Sequence, residues 1–161
     1  MPKSYLKGFE WKVTKAYRKF QVNQNTIWKK YYERKLKKLE HLTGFNFENN
    51  TSIDKGFLIG HWGTIVLNGK AHYGNQFFVT HNVTVGRDIR GKRKGVPTFG
   101  NRVVIRTNST VVGNIHIGND VLIAPNTFVN FDVPVHSVVI GNPATICHKD
   151  NATLGHLPEI G

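Results

Sequence analysis

The chain has 161 residues, 39% of them apolar, and 22 Lys and Arg against 10 Asp and Glu give it a formal net charge of +12. That length and an ordinary composition suit one domain with a modest extension and argue against wholesale disorder, while no apolar stretch approaches the roughly 20 residues that cross a bilayer. Its one cysteine, Cys147, excludes an internal disulfide and a thiolate metal cluster.

Residues 1–45 hold twelve Lys and Arg against three acids, so this segment carries much of the positive charge. Met1 to Phe20 is basic but has no apolar centre, and does not read as a secretion signal. Within Thr26 to Leu42, the side chains Trp28, Tyr32, Leu36, Leu39 and Leu42 recur at helical spacing. Lys29, Lys30, Arg34, Lys37 and Lys38 stand opposite, and Gly44 follows as a stop. The stripe is expected to pack on the core or a second subunit, with docking on a membrane surface as the sharper alternative. No recognition motif accompanies the charge, so nucleic acid is not an expected partner.

From Phe47 onward every sixth residue is apolar: Phe47, Ile53, Ile59, Ile65, Ala71, Phe77 and Val83, then Phe99, Ile105, Val111, Ile117, Ile123, Val129 and Val135. Neither a helix nor an alternating strand has this period. Six residues make one short strand and a turn, and three such units close a triangular coil. Between the two runs, Val83 to Phe99 is one hexad plus ten extra residues. The excess reads as a loop around Gly86 to Pro97 bearing Arg87, Arg90, Lys92, Arg93 and Lys94, placed to close over an anionic ligand. The expected organisation is a basic helical extension over 1–45, a coil over 46–147 with its loop at about 86–97, and a tail over 148–161.

Several segments carry a resemblance. They are Gly56 to Asn68, His81 to Gly86, Gly95 to Asn101, Val112 to Gly118 and Val139 to Ala144. In this order they resemble the hexapeptide-repeat acyltransferases, serine acetyltransferase-like proteins with a left-handed parallel β-helix, and among them the branch that O-acetylates bacterial surface polysaccharides. The left hand comes from the resemblance, since parallel crossovers are otherwise almost always right-handed. The resemblance implies a homotrimer, and the lone cysteine with no apolar signal or spanning stretch gives the expectation of a cytoplasmic protein, at most resting on the inner face of the membrane. The resemblance also implies acetyl-CoA as cosubstrate, no metal, and a glycan or small hydroxyl acceptor bound in clefts between neighbouring prisms.

His61 matches the family's general base, which takes the proton of an otherwise poorly nucleophilic alcohol. His81 is expected on the same side of the prism, one rung on and two residues along, in a substrate or oxyanion role. Asn46 stands where the related enzymes have the acid that orients the base. Thr107, Asn126 and Gly141 are expected along the pantetheine groove, with Lys149 at a phosphate. His72 and His116 read as surface residues. Gly60 replaces the aspartate that precedes the base, and Val96 replaces a histidine before the proline that is Pro97 here. These departures speak against free serine as acceptor and fit the polysaccharide branch. The alternatives are a serine O-acetyltransferase-type enzyme on a small acceptor, a non-catalytic trimer serving as a binding scaffold, and a metal-dependent hydratase using His81 and His116.

Overall fold

The computed structural model describes residues 8–48 and 50–157. They form a left-handed parallel β-helix of about five turns with two helices at its start. Three sheets make the faces of a prism. The first face stacks β1 (Phe45–Phe47), β4 (Ile65–Leu67), β7 (Val83–Gly86), β10 (Thr110–Val112) and β13 (Phe128–Val129). The second stacks β2 (Ser52–Ile53), β5 (His72–Tyr73), β8 (Thr98–Phe99) and β11 (His116–Ile117). The third stacks β3 (Leu58–Ile59), β6 (Phe78–Val79), β9 (Val103–Ile105), β12 (Val121–Ile123) and β14 (Ser137–Gly141). All of these pair in parallel. The antiparallel β15 (Ala144–His148) then folds back on β14 and ends the coil.

Each turn sends one inward residue per face into continuous rows, such as Ile59, Val79, Ile105, Ile123 and Val139, all fully buried. Aromatic side chains stack along a second row, with the Tyr73 and Phe99 rings 5.4 Å apart and nearly coplanar. Tight corners between faces use left-handed backbone at Asn82, Asn108 and Asn126, and at Gln76, Arg102 and Asp120. Asn and Asp tolerate that conformation because a short polar side chain can bond locally.

The six-residue count holds within turns, but their lengths differ. Phe47 lies beside Leu67 and Ile59 beside Val79, so the first turn is two residues longer than the next, where Ile65 lies beside Val83. The surplus falls in the 60–64 segment. Counting by six ran through it because each hexad has two inward apolar places, two residues apart. The same mixing inflated the loop: Tyr73 lies beside Phe99 and Val79 beside Ile105, so the excursion adds eight residues, not ten. The last turn is two residues short. Val133 takes the inward place beside Ile117, and Val135, expected inside, is 47% exposed.

The helix expected in the extension is α2 (Lys29–Thr43), closed by Gly44 at φ 77°, where a side chain would press on the backbone of Thr64. A helix the sequence analysis left unassigned, α1 (Phe9–Val22), precedes it. It lays Val13, Ala16, Tyr17 and Phe20 on the first turn of the prism. The Tyr17 ring stacks on Phe47, and its hydroxyl donates to the Thr51 carbonyl and accepts from the Ile53 N–H. Burial pushes that phenol up to about 12. The helices thereby close the open end of the coil. Leu36 is buried and Tyr32 and Leu39 pack on the core, while Trp28 and Leu42 at the ends of the stripe are exposed.

Outside the third face, Leu58, Phe78, Val104 and Leu122 form a second apolar cluster covered by Ala152 and Leu157. A sheet covered on both sides explains the paired apolar residues in its strands.

Candidate active site

The edge between the third and first faces gathers the candidate residues. Beyond the inward row from Ile59 to Val139, the second residue of each turn is His61, His81, Thr107, Pro125 and Gly141, one per rung. His61 and His81 therefore hold equivalent places on adjacent rungs, rather than being offset by two residues as the hexad count suggested. Their rings lie 5.8 Å apart, edge to face. Thr107 and Gly141 continue the line, and Asn126 sits one residue beyond Pro125, donating its N–H to the Thr107 carbonyl at 3.0 Å. The Gly141 N–H donates to Thr127 Oγ1 at 3.1 Å.

His61 is exposed and occupies the lengthened 60–64 segment. Two glycines shape that turn. A Cβ at Gly63, φ 141°, would lie 2.9 Å from the His81 Cβ. One at Gly60 would lie 2.6 Å from the Phe78 ring. A side chain at position 60 would therefore meet an aromatic ring from the next rung. Past His61, the Trp62 N–H donates to the Glu10 carboxylate at 3.2 Å, so α1 holds the turn from outside. Glu10 was not legible in the sequence, being 52 residues away and on the unassigned helix.

Two hydroxyls near this edge, Thr80 Oγ1 and Thr107 Oγ1, are buried without a hydrogen-bond partner among the described residues. A buried hydroxyl in that state costs free energy. Arg106 precedes Thr107. With Lys149 it surrounds His156, whose imidazolium is disfavoured by burial and then by both cations.

The other candidates lie elsewhere. Asn46 is exposed on β1 opposite Val66, and no hydrogen bond joins it to His61. The Lys149 N–H donates to the His136 carbonyl, at the far end of β14 from Gly141. His72 and His116 both flank Thr98 on the outer surface of the second face, away from His81. Among the described residues no three His, Cys, Asp or Glu side chains gather as a metal site. The basic loop leaves the prism between β7 and β8, at the edge between the first and second faces. There Asp88 and Gly95 exchange backbone hydrogen bonds and Asn114 anchors Arg93.

No family model matches the chain. A serine acetyltransferase of Helicobacter pylori is 34% identical over 109 residues, covering 68% of this chain and 64% of that protein. One from Staphylococcus aureus is 30% identical over 123 residues, covering 73% and 58%. Neisseria gonorrhoeae serine acetyltransferase in complex with serine superposes with a TM-score of 0.66 at 25% identity, over 84% of this chain and 55% of that one. The chain is a serine acetyltransferase-like hexapeptide-repeat protein. It spans just under two thirds of the Helicobacter protein and less of the others. Within this serine acetyltransferase-like frame, the His61–His81 pair and the line of small and polar residues above it form one continuous edge. The uncharged Asn46 and Gly60 leave Glu10 as the carboxylate bonded to the His61 turn.

Proposed function

We propose that the protein is an acetyl-CoA-dependent O-acetyltransferase with His61 as general base. The observation that carries this reading is the edge itself: an exposed imidazole in a backbone turn held by Glu10, beside a second imidazole on the next rung. Acetyl-CoA supplies the acetyl group as a thioester. His61 removes the proton of the acceptor hydroxyl, then returns a proton to the departing sulfur. His81 would donate to the oxygen that gains charge, where a pre-positioned donor is most effective. Thr107, Asn126 and Gly141 would line the pantetheine path, with Arg106 favouring the phosphates.

The relatives, being serine acetyltransferases, support a small hydroxyl acceptor of the serine type; a cytoplasmic homotrimer is part of the same proposal. One observation favours a second reading, a hydroxyl of a surface glycan: Trp62, next to His61, is 62% exposed and offers a flat face to a sugar ring. Thiol release from acetyl-CoA, measured with L-serine and with glycans of the producing cell, separates the two acceptors. Replacing His61 by Ala should lower kcat by about 10²–10⁴-fold. Because the ring is exposed, melting should change little. Turnover unaltered in His61→Ala would overturn the mechanism with either acceptor.

A further inference from the structure

The α1–α2 hairpin carries a feature that the proposed acyl transfer does not use. At its tip Val22, Ile27 and Trp28 are 72%, 91% and 55% exposed. From Trp11 to Tyr32 there is no acidic residue, while Lys12, Lys15, Arg18, Lys19, Lys29 and Lys30 fall in that span. Arg18 is spoken for, bonded to the carbonyls of Ile53 and Asp54. Behind the tip, a cleft of about 400 Å³ opens between the helices, lined by Lys12, Lys15, Lys19, Lys35, Tyr31 and Tyr32. None of its four lysines makes an ion pair with a described residue. A line of rings joins the two parts, Trp28 to Tyr31 at 6.1 Å and Tyr31 to Tyr32 at 5.1 Å.

We infer that this hairpin docks on an anionic lipid bilayer, with Val22, Ile27 and Trp28 entering the acyl boundary and the lysine cleft receiving headgroup phosphates. Apolar side chains ringed by lysines, with Trp and Tyr at headgroup depth, are what an interfacial anchor needs. Charge selects this occupant over others. A second copy meeting the same tip would set lysines against lysines. A polyanion without a lipid phase would pair with the lysines yet leave Ile27 and Val22 in water. Measured along α1, the tip lies about 18 Å from Glu10 and the His61 turn. Docking there would hold the candidate active site close to the membrane surface with its edge still open.

The test is sedimentation of the full chain with vesicles of phosphatidylcholine alone or mixed with phosphatidylglycerol, without acetyl-CoA or acceptor, so that it stands apart from the acyltransferase reading. Binding is expected to the mixed vesicles alone. It should fall roughly tenfold or more in Ile27→Asp/Trp28→Asp and in Lys29→Glu/Lys30→Glu. These side chains are exposed, and unchanged circular dichroism and melting would verify the fold. Brominated acyl chains should quench wild-type fluorescence more strongly than that of Trp28→Phe, which keeps Trp11 and Trp62. Failure to bind mixed vesicles overturns the proposal, and so does binding that Ile27→Asp/Trp28→Asp leaves intact, since charge alone would then explain it. Glycerol phosphate competing at concentrations matching the lipid would identify a soluble phosphate ligand instead. Self-association abolished by Ile27→Asp/Trp28→Asp would identify a second copy.

Discussion

His61 would do its work only if the turn that carries it is held still, and one carboxylate contributes to that. Glu10 reaches from α1 to the Trp62 N–H, fixing the backbone one residue beyond the imidazole. An error of about 1 Å in the placement of a reacting group can cost about a hundredfold in rate. Glu10→Ala is therefore expected to lower kcat about ten- to a hundredfold, and Glu10→Gln, which keeps an acceptor oxygen, to recover most of the loss. The bond is exposed, so its contribution to stability is about 1 kcal/mol or less. Equal kcat for wild type and Glu10→Ala would show that the turn positions itself. Gly60 belongs at the same scale. A larger residue there meets the tip of the Phe78 ring, which would have to turn aside to admit it.

At the scale of elements, the coil was legible because its period is written in side chains that must be inside. The left-handed corners show in the sequence only where Asn stands, as at Asn82, Asn108 and Asn126, and not at Gln76 or Arg102. Turn lengths were not, since an inserted pair of residues merely moves the count between two inward apolar places. Helix α2 shows its stripe and its Gly44 stop. Helix α1 shows an equivalent spacing at Val13, Ala16, Tyr17 and Phe20, but polar neighbours dilute it and its partner surface is the end of the prism. The C-terminal tail gives no periodic signal. What holds it is Asp120, whose carboxylate accepts from the Thr153 hydroxyl, the Ala152 and Thr153 N–H groups and His136. Burial alone would raise this acid. The hydrogen bonds from Thr153, His136 and Ala152 outweigh it and bring the pKa from 3.8 to about 2. A carboxyl lowered by folding stabilises above its ordinary value and loses that contribution as pH falls through the folded one. The tail should thus loosen between about pH 4 and about 2, read as faster amide exchange at Ala152 and Thr153. Asp120→Ala should abolish that pH step and lower stability by about 1–3 kcal/mol at neutral pH. An unchanged acid profile in Asp120→Ala would assign the anchoring to the apolar cluster alone.

For the whole molecule, the arrangement of edges sets a constraint that no single turn reveals. His61 and the line above it occupy the edge between the third and first faces, whereas the basic loop springs from the edge between the first and second. One rigid prism cannot bring the two together, because the first face lies between them. If the loop serves the reaction, it must serve the site of another copy, as a homotrimer with shared clefts would allow. Two chains, one without the base and one weakened by loss of the loop, should then complement each other. A His61→Ala chain retains the loop, and a chain lacking residues 88–95 retains the base. Co-expressed and purified as mixed assemblies by distinct tags, they should form some clefts with an intact base on one side and an intact loop on the other, and so regain thiol release from acetyl-CoA. The loop-deleted chain alone should show a raised KM for acetyl-CoA if the arginines and lysines attract its phosphates, an effect that added salt would mimic in the intact protein. Normal kinetics after loop deletion would remove the loop from the site. Mixed assemblies no more active than the loop-deleted chain alone, although both chains fold and associate, would place base and loop in different functions.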